Sequence, residues 1–436
     1  MNQKRLWFAA GFIALPFIIL AILVAIFAVN VPVADQWELV GLFKKYHQGG
    51  LGFSDFFAQH NEHRLLFPRL LMLALAIFSH WNVTWEMAAS LVLAAISFIF
   101  IYLMLSKTLD NKSIRWAAAL VVSCIFFSPI QWENWLWGWQ LQWYLNILGL
   151  VVAVWALSTW KASQPKRVLL AAAAATVATY SLGSGLFVWI LCIPLFRFFR
   201  FHKKWLWLWV ALGIAVIGAN YIGYHDPVNS PAKGVFLSNP VGFVKYLLVY
   251  LSRPLALNMH QTIIIAPLYL AGICALLFYF YRYKKNELYS NLLPWICFGV
   301  YGCFAALETA VARLALGVEQ AYSSRYVALS QLLLIMFVVL AFKILEDTYH
   351  KKNDSARART KYVLIIVLAI VMLFTLINGI KGARQFSRQS VYLHKAQHCA
   401  QTAKSSKDPC LLLLYPSPGI VWDRLQYLRS THWGGL

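Results

Sequence analysis

Asp35 and Glu38 stand three residues apart in VADQWE, so on one helical turn both carboxylates face the same volume. A carboxylate so placed acts as a general base, whereas an Asp here is also a good helix N-cap; both roles stay open. A second group lies in AQHNEHR, residues 58–64, where His60 and His63 flank Glu62 and precede Arg64. Two imidazoles, a carboxylate and a guanidinium suit proton transfer, metal ligation or phosphate binding, or simply the hydration of an interfacial loop. No HExxH pattern is present, so zinc is not expected. No cofactor is assigned, and a divalent metal is compatible with these side chains without being predicted.

Residues 131–143, QWENWLWGWQLQW, interleave Trp132, Trp135, Trp137, Trp139 and Trp143 with Gln131, Glu133, Asn134, Gln140 and Gln142. Indoles gather at membrane interfaces whatever the function, which makes an aromatic belt the plain reading. Flat aromatic faces beside amides and a carboxylate are also what a sugar ring needs, one face stacked and hydroxyls bonded at the edge. His225, Asp226 and His260 add polar groups further on. ETAVARLALGVEQAYSSRY then supplies Glu308, Arg313, Glu319, Tyr322, Ser324 and Arg325. Its two arginines flank apolar runs, at the depth of lipid phosphates, where arginine either binds phosphate or snorkels.

These side chains need a scaffold, and with 61% apolar and 12% charged residues no water-soluble surface can be built. The expected fold is an all-α polytopic membrane protein. A spanning helix needs about 20 mostly apolar residues, and the apolar runs place about eleven crossings. They fall at 6–30, 86–106, 116–130, 141–159, 168–182, 185–198, 205–222, 263–281, 291–309, 326–344 and 362–380. The first run is read as a retained span, being too long for a signal-peptide core. The net charge of +22 is spread in short clusters between apolar runs, which fits topogenic charge and not a nucleic-acid surface.

With the N-terminus cytoplasmic, the inner segments carry Lys4 and Arg5; Lys107, Lys112 and Arg115; Lys161, Lys166 and Arg167; Arg197, Arg200, Lys203 and Lys204; Arg282, Lys284 and Lys285; and the cluster from Lys343 to Lys361. The longer outer loops, 31–85 and 223–262, carry fewer, so the positive-inside rule puts the N-terminus in and the C-terminus out. The expected division is a membrane domain over 1–380 and a small extracytoplasmic tail over 381–436. Two juxtamembrane helices are expected in the first outer loop, over 35–47 and 64–78, and a further short piece over 241–251. Cys399 and Cys410 are the only cysteines in polar sequence, and an oxidising compartment would join them in a bridge contributing ~3 kcal/mol.

The pattern resembles the type C membrane glycosyltransferases that use polyprenyl-phosphate sugars, which include oligosaccharyltransferases, protein mannosyltransferases and the lipid A aminoarabinose transferase. Those enzymes have a cytoplasmic N-terminus, a first outer loop with two juxtamembrane helices, and an acidic residue opening that loop, the position VADQWE occupies. Bacterial O-antigen glucosyltransferases of the phage-conversion type are similar in the same way. Many members carry an Asp-Glu or Asp-Asp pair, whereas Gln36 follows Asp35 here. The resemblance implies Asp35 as base, with Glu38 beside it. It implies a donor of polyprenyl-phosphate-linked sugar, a glycan or lipid-linked acceptor, membrane lipids around the chain, and no nucleic acid. Expected substrate-binding residues are His60, Glu62, His63, Arg64, Gln131, Glu133, Trp137, Gln140, Arg313, Tyr322 and Arg325. The expected setting is a bacterial inner membrane with the site facing the periplasm. The alternatives are a glycan polymerase or ligase, and a lipid or small-molecule transporter, which would place ionisable groups at mid-membrane depth.

Overall fold

The computed structural model describes residues 3–226, 234–349 and 355–435. Lys233, Lys351 and Lys352 of the charge pattern lie outside them, as do the side chains of Lys4, Arg5 and Arg357. Among the described residues eight helices are long and apolar enough to cross a membrane, and the only strands form a two-stranded hairpin. The chain is an all-α polytopic membrane protein.

Helix α1 (Gln3–Phe27) leads into a loop that folds on itself. The loop holds the 3-10 turn Ala34–Glu38, α2 (Leu39–His47), the hairpin of β1 (Gln59–His60) and β2 (His63–Arg64), and α3 (Leu66–Ser79). Helices therefore stand at both loop positions expected from sequence. After them come α4 (Thr84–Thr108), α5 (Lys112–Phe126), α6 (Leu141–Ser158), α7 (Gln164–Thr179) and α8 (Lys203–Asn220). Helix α9 (Pro240–Ser252) precedes α10 (Met259–Tyr283), α11 (Leu293–Arg313) and α12 (Val327–Tyr349). The chain ends in α13 (Ser355–Thr402) and α14 (Pro418–Thr431).

Three expected spans, 168–182, 185–198 and 205–222, are not among the eight long apolar helices. They fall on α7, on the Gly183–Phe198 segment and on α8. With 16 residues α7 is about 24 Å long, short of the hydrocarbon core. The Gly183–Phe198 segment is broken into short turns by Gly183, Gly185 and Pro194. Its partner surface explains why α7 is rich in alanine. Ala171, Ala174, Ala175 and Ala178 recur at helical spacing and are buried against α6. A Cβ on Gly149 of α6 would lie 2.5 Å from the Ala174 carbonyl, so small residues let the two backbones close.

The segment Ser324–Thr348 is buried from Tyr326 to Glu346 and forms the centre of the bundle, packed against α5, α10, α11 and α13. Gly299 and Gly302 of α11 face Met336 and Leu329 of α12, again where a Cβ would collide. Helix α13 runs 48 residues without a break, so the boundary expected at 380 falls inside it.

Beyond α13 the chain folds back. Cys399 and Cys410 are joined by a disulfide, and Arg429 donates to the Ala400 and Ala403 carbonyls at 2.8 and 3.0 Å. Lys44 of α2 pairs with Asp423 at 2.8 Å, and the Trp433 ring packs on Phe43. Replacing Cys399 by Ser is expected to loosen this tail without preventing membrane insertion, since α13 and α14 carry their own contacts. Non-reducing mass spectrometry of intact protein checks the bridge, and finding both thiols free would refute it.

Candidate active site

Ala34 has φ 48°, the left-handed region that costs a non-glycine residue roughly 1–2 kcal/mol. Its N–H donates to the Leu414 carbonyl at 2.7 Å, which holds that conformation against the tail. The turn that follows is tied down from beneath. Buried Gln36 donates to Glu86 of α4 at 2.6 Å, and the Trp81 indole donates to the other oxygen of the same carboxylate at 3.1 Å. The Trp137 indole donates to the Val33 carbonyl at 3.2 Å. Gly138 makes the approach possible, because a Cβ there would sit 2.3 Å from a Glu86 oxygen and 2.9 Å from Gln36 Nε2. Gln36 and Trp37 are thereby turned inward, and Asp35 and Glu38 are left half-exposed on the other side.

The hairpin brings the histidines to them. Asn61, at φ 48°, opens the tight turn, a conformation Asn tolerates better than most residues. Its strands pair His60 with His63. Buried His60 donates from Nδ1 to Glu38 at 2.9 Å, while its Nε2 lies 3.1 Å from the Asn61 amide and 3.9 Å from Asp35. The two carboxylates thus part company. Burial raises the Asp35 carboxyl above its ordinary range and Glu38 adds to this, against the opposing pull of His60. Burial acts the same way on Glu38, but the His60 hydrogen bond and charge outweigh it and hold Glu38 low. Burial, with the charges of His60 and Arg313, pushes His63 down to about 3, so it is neutral at working pH.

Asp35, the hairpin tip and the tryptophan segment enclose a cavity of about 760 Å³. Trp137, Trp139 and Trp143 supply aromatic wall, with Gln140 and Gln142 between them. His60, Glu62, His63, Arg313 and Arg325 line it too, so one volume gathers most of the residues singled out from sequence. Arg313 pairs with Glu62 at 2.9 Å. Arg325 begins the central segment, and its charge acts on Asp35. The cavity is also lined by Leu307, Val311 and Leu316, apolar side chains that are 39%, 44% and 56% exposed.

Five expected site residues do other work. Glu38 orients His60 and lines a smaller neighbouring pocket, not the main cavity. Arg64 is buried and clamps the backbone carbonyls of Phe57, Asn220 and Ile222, which leaves its guanidinium committed. Gln131 is buried between the Phe126 carbonyl and Gln331. Glu133 accepts from Ser323 Oγ, Ser324 Oγ and the Arg325 N–H at 2.8, 2.6 and 3.0 Å, so it sets the turn that presents Arg325. Tyr322 stacks under Arg253, 3.9 Å from cation to ring centre, and donates to Ala256.

Other residues enter the site that sequence spacing did not single out as binding groups. Asn61 and Glu308 line the cavity, Glu308 directly opposite Gly183. Glu86 never touches the cavity, yet it fixes the turn carrying Asp35. Among the described residues no group of three or more His, Cys, Asp or Glu is arranged to hold a metal ion. Compared with known proteins, the chain matches no family model and no curated protein.

Proposed function

We propose that this chain is a membrane glycosyltransferase of the kind the type C enzymes represent. It would move a sugar from a polyprenyl-phosphate donor to a hydroxyl of a glycan or lipid-linked acceptor, with Asp35 as general base. The observation that carries this reading is one cavity in which Asp35 stands with two arginines, walled by indoles and lined in part by Leu307, Val311 and Leu316. Each part matches one part of such a donor. The apolar part of the lining suits the polyprenyl chain, the arginines suit the phosphate, and the indoles with Gln140 and Gln142 suit the sugar.

In the step proposed, the acceptor oxygen attacks the anomeric carbon and its proton passes to Asp35. The bond from that carbon to the phosphate oxygen breaks, and its electron pair leaves with the phosphate. Arg313 and Arg325 balance the charge that develops there. Glu38 has a supporting part, holding His60 so that Nε2 stays beside Asp35. A raised Asp35 pKa makes a stronger base than an ordinary surface carboxylate. Detection of sugar transfer from a synthetic polyprenyl-phosphate sugar by the purified protein tests this, and its absence over a broad panel of donors and acceptors would reject it.

The same reading places the site on the outer face of a bacterial inner membrane, with eleven crossings, the N-terminus inside and the tail outside. Gly183 lines the cavity and the Asn220 carbonyl holds Arg64, so the chain stands at the site end at both points. The Gly183–Phe198 segment and α8 fit between them as one passage inward and one back. Helix α4 starts at the site with Glu86 and ends at Lys107, about 30 Å further along its axis. The basic clusters at Lys107–Arg115 and Arg282–Lys285 then fall at the end away from the cavity, as topogenic charge requires. An alkaline phosphatase fused after residue 435 is expected to be active. An inactive fusion, with a cytoplasmic reporter working at the same point, would overturn the orientation.

A further inference from the structure

On the far side of Trp137 lies a second cavity, of about 340 Å³, between the Trp132–Leu136 helix, the outer part of α13 and the disulfide-closed tail. We propose that it is a binding site for an uncharged saccharide chain. Its role as the acceptor end of the transfer rests on the function proposed above; its capacity to bind does not.

The chemistry of the walls separates it from the first cavity. Trp132, Trp137, Tyr392 and Tyr415 give aromatic surface, and Gln389 and Glu133 give hydrogen-bonding edges. Among the described residues that line it there is no Lys, Arg or His, whereas the first cavity is lined by His60, His63, Arg313 and Arg325. None of these described lining residues compensates a phosphate or an acidic sugar. Stacking faces beside an amide and a carboxylate suit neutral rings rich in hydroxyls. Its volume lies in the range of ordinary small-ligand sites, roughly 300–1,000 Å³.

Position gives the site its meaning. Val33 and Ala34 form one edge, and the next residue, Asp35, opens into the first cavity, so Asp35 stands between the two spaces. Trp137 lines both, and Tyr415 lies within the electrostatic reach of Asp35 and Glu38. A saccharide seated against Trp132 and Gln389 would extend a hydroxyl toward Asp35. Glu133 links the two spaces as well, since the carboxylate that edges the second cavity also holds the Arg325 backbone. The walls are fastened: Tyr392 donates to the Leu413 carbonyl at 2.6 Å and Ala34 to that of Leu414 at 2.7 Å. The Cys399–Cys410 bridge ties Cys410, just ahead of Leu412, Leu413 and Leu414, back to α13.

The test is binding of the full-length protein, labelled and in detergent, to an array of uncharged and uronic-acid-containing oligosaccharides. Retention of one or more uncharged oligosaccharides is expected, with affinity about tenfold weaker in Trp132→Ala and in Gln389→Leu. Because the Trp132 change removes a large ring, Gln389→Leu, which keeps the side-chain volume, guards against a folding artefact. Preference for the acidic sugars, no retained oligosaccharide, or undiminished binding in Gln389→Leu would each overturn the site. Oligosaccharide binding that maps to Trp132 and Gln389 in a protein without transfer activity would sustain the site and reject the enzyme reading. Transfer without binding here would do the reverse.

Discussion

Replacing Asp35 by Asn is expected to lower sugar transfer by roughly 10²-fold to 10⁴-fold, with binding of the lipid donor preserved. Asparagine keeps the size and a hydrogen-bonding edge but has almost no proton affinity, so the change removes the base and little else. The alternative role, helix capping, has lost its footing. The N-cap position of the 3-10 turn is held by Val33, whose N–H donates to Gln36 Oε1, and Asp35 lies inside the turn with its carboxyl toward His60 and the cavity. The pH profile gives a second readout. Because burial raises the Asp35 pKa, the ionised base form accumulates only above the ordinary carboxylate range. Transfer should therefore rise with pH through a midpoint above 3.8, and this limb should vanish in Asp35→Asn. Near-normal turnover by equally folded Asp35→Asn protein would exclude this carboxylate and move the search to Glu62 and Glu308, which line the same cavity.

Spacing alone made part of this site legible. Two carboxylates three residues apart do share a turn, and both reach His60. Their different duties were not legible, because what separates them is the placement of His60, and that comes from a hairpin 22 residues on. The arginines show the same limit. Arg64 and Arg313 both lie beside apolar runs, but Arg64 is spent on carbonyls from Phe57, Asn220 and Ile222, whose convergence no local pattern announces. Glu86 looked like the start of a span, yet its carboxylate is nearly fully buried beneath the Asp35 turn. The tryptophan segment divided in the same manner. Trp135 stacks on Tyr144 inside the bundle, whereas Trp137, Trp139 and Trp143 face the cavity. Composition reported the aromatic character and not which rings look inward.

Long apolar helices were the most readable feature, since a run of Leu, Ile and Val is hydrophobic in any register. The apolar run at 168–182 predicts a span, but Gln164–Thr179 is a short alanine-rich helix built to lie close against α6. Hydropathy sees its apolar surface and misses the geometry. The uninterrupted course of α13 past 380 was equally hidden, because Lys381, Arg384 and Arg388 look like the start of a polar tail. They stand instead on an amphipathic continuation whose buried face includes Phe386, Leu393 and Ala396.

Arg325→Ala is expected to weaken donor binding by about tenfold to a hundredfold, the value of one charge-assisted phosphate contact at roughly 1.5–3 kcal/mol. Arg325 is a better phosphate partner than Arg313, whose guanidinium already pairs with Glu62 at 2.9 Å. The Arg325 guanidinium lies 5.3 Å from the Tyr326 ring centre, and its Nε has no hydrogen-bond partner among the described residues. Its backbone is nevertheless fixed, held by Glu133 through the N–H and by Asn134 through the carbonyl. Removing the side chain should leave that frame standing, so the defect belongs to the cation and not to a collapsed turn. Arg325→Lys should recover only part of the affinity, because a single ammonium cannot reproduce the two-pronged geometry of a guanidinium on a phosphate. The donor KM, measured beside direct binding of a polyprenyl-phosphate analogue, separates this from the Asp35 defect. Asp35→Asn loses turnover at saturating donor, while Arg325→Ala should lose affinity first. An Arg325→Ala protein with unchanged KM and unchanged donor binding would remove Arg325 from the phosphate site, leaving Arg313 to hold the phosphate only by giving up its pair with Glu62.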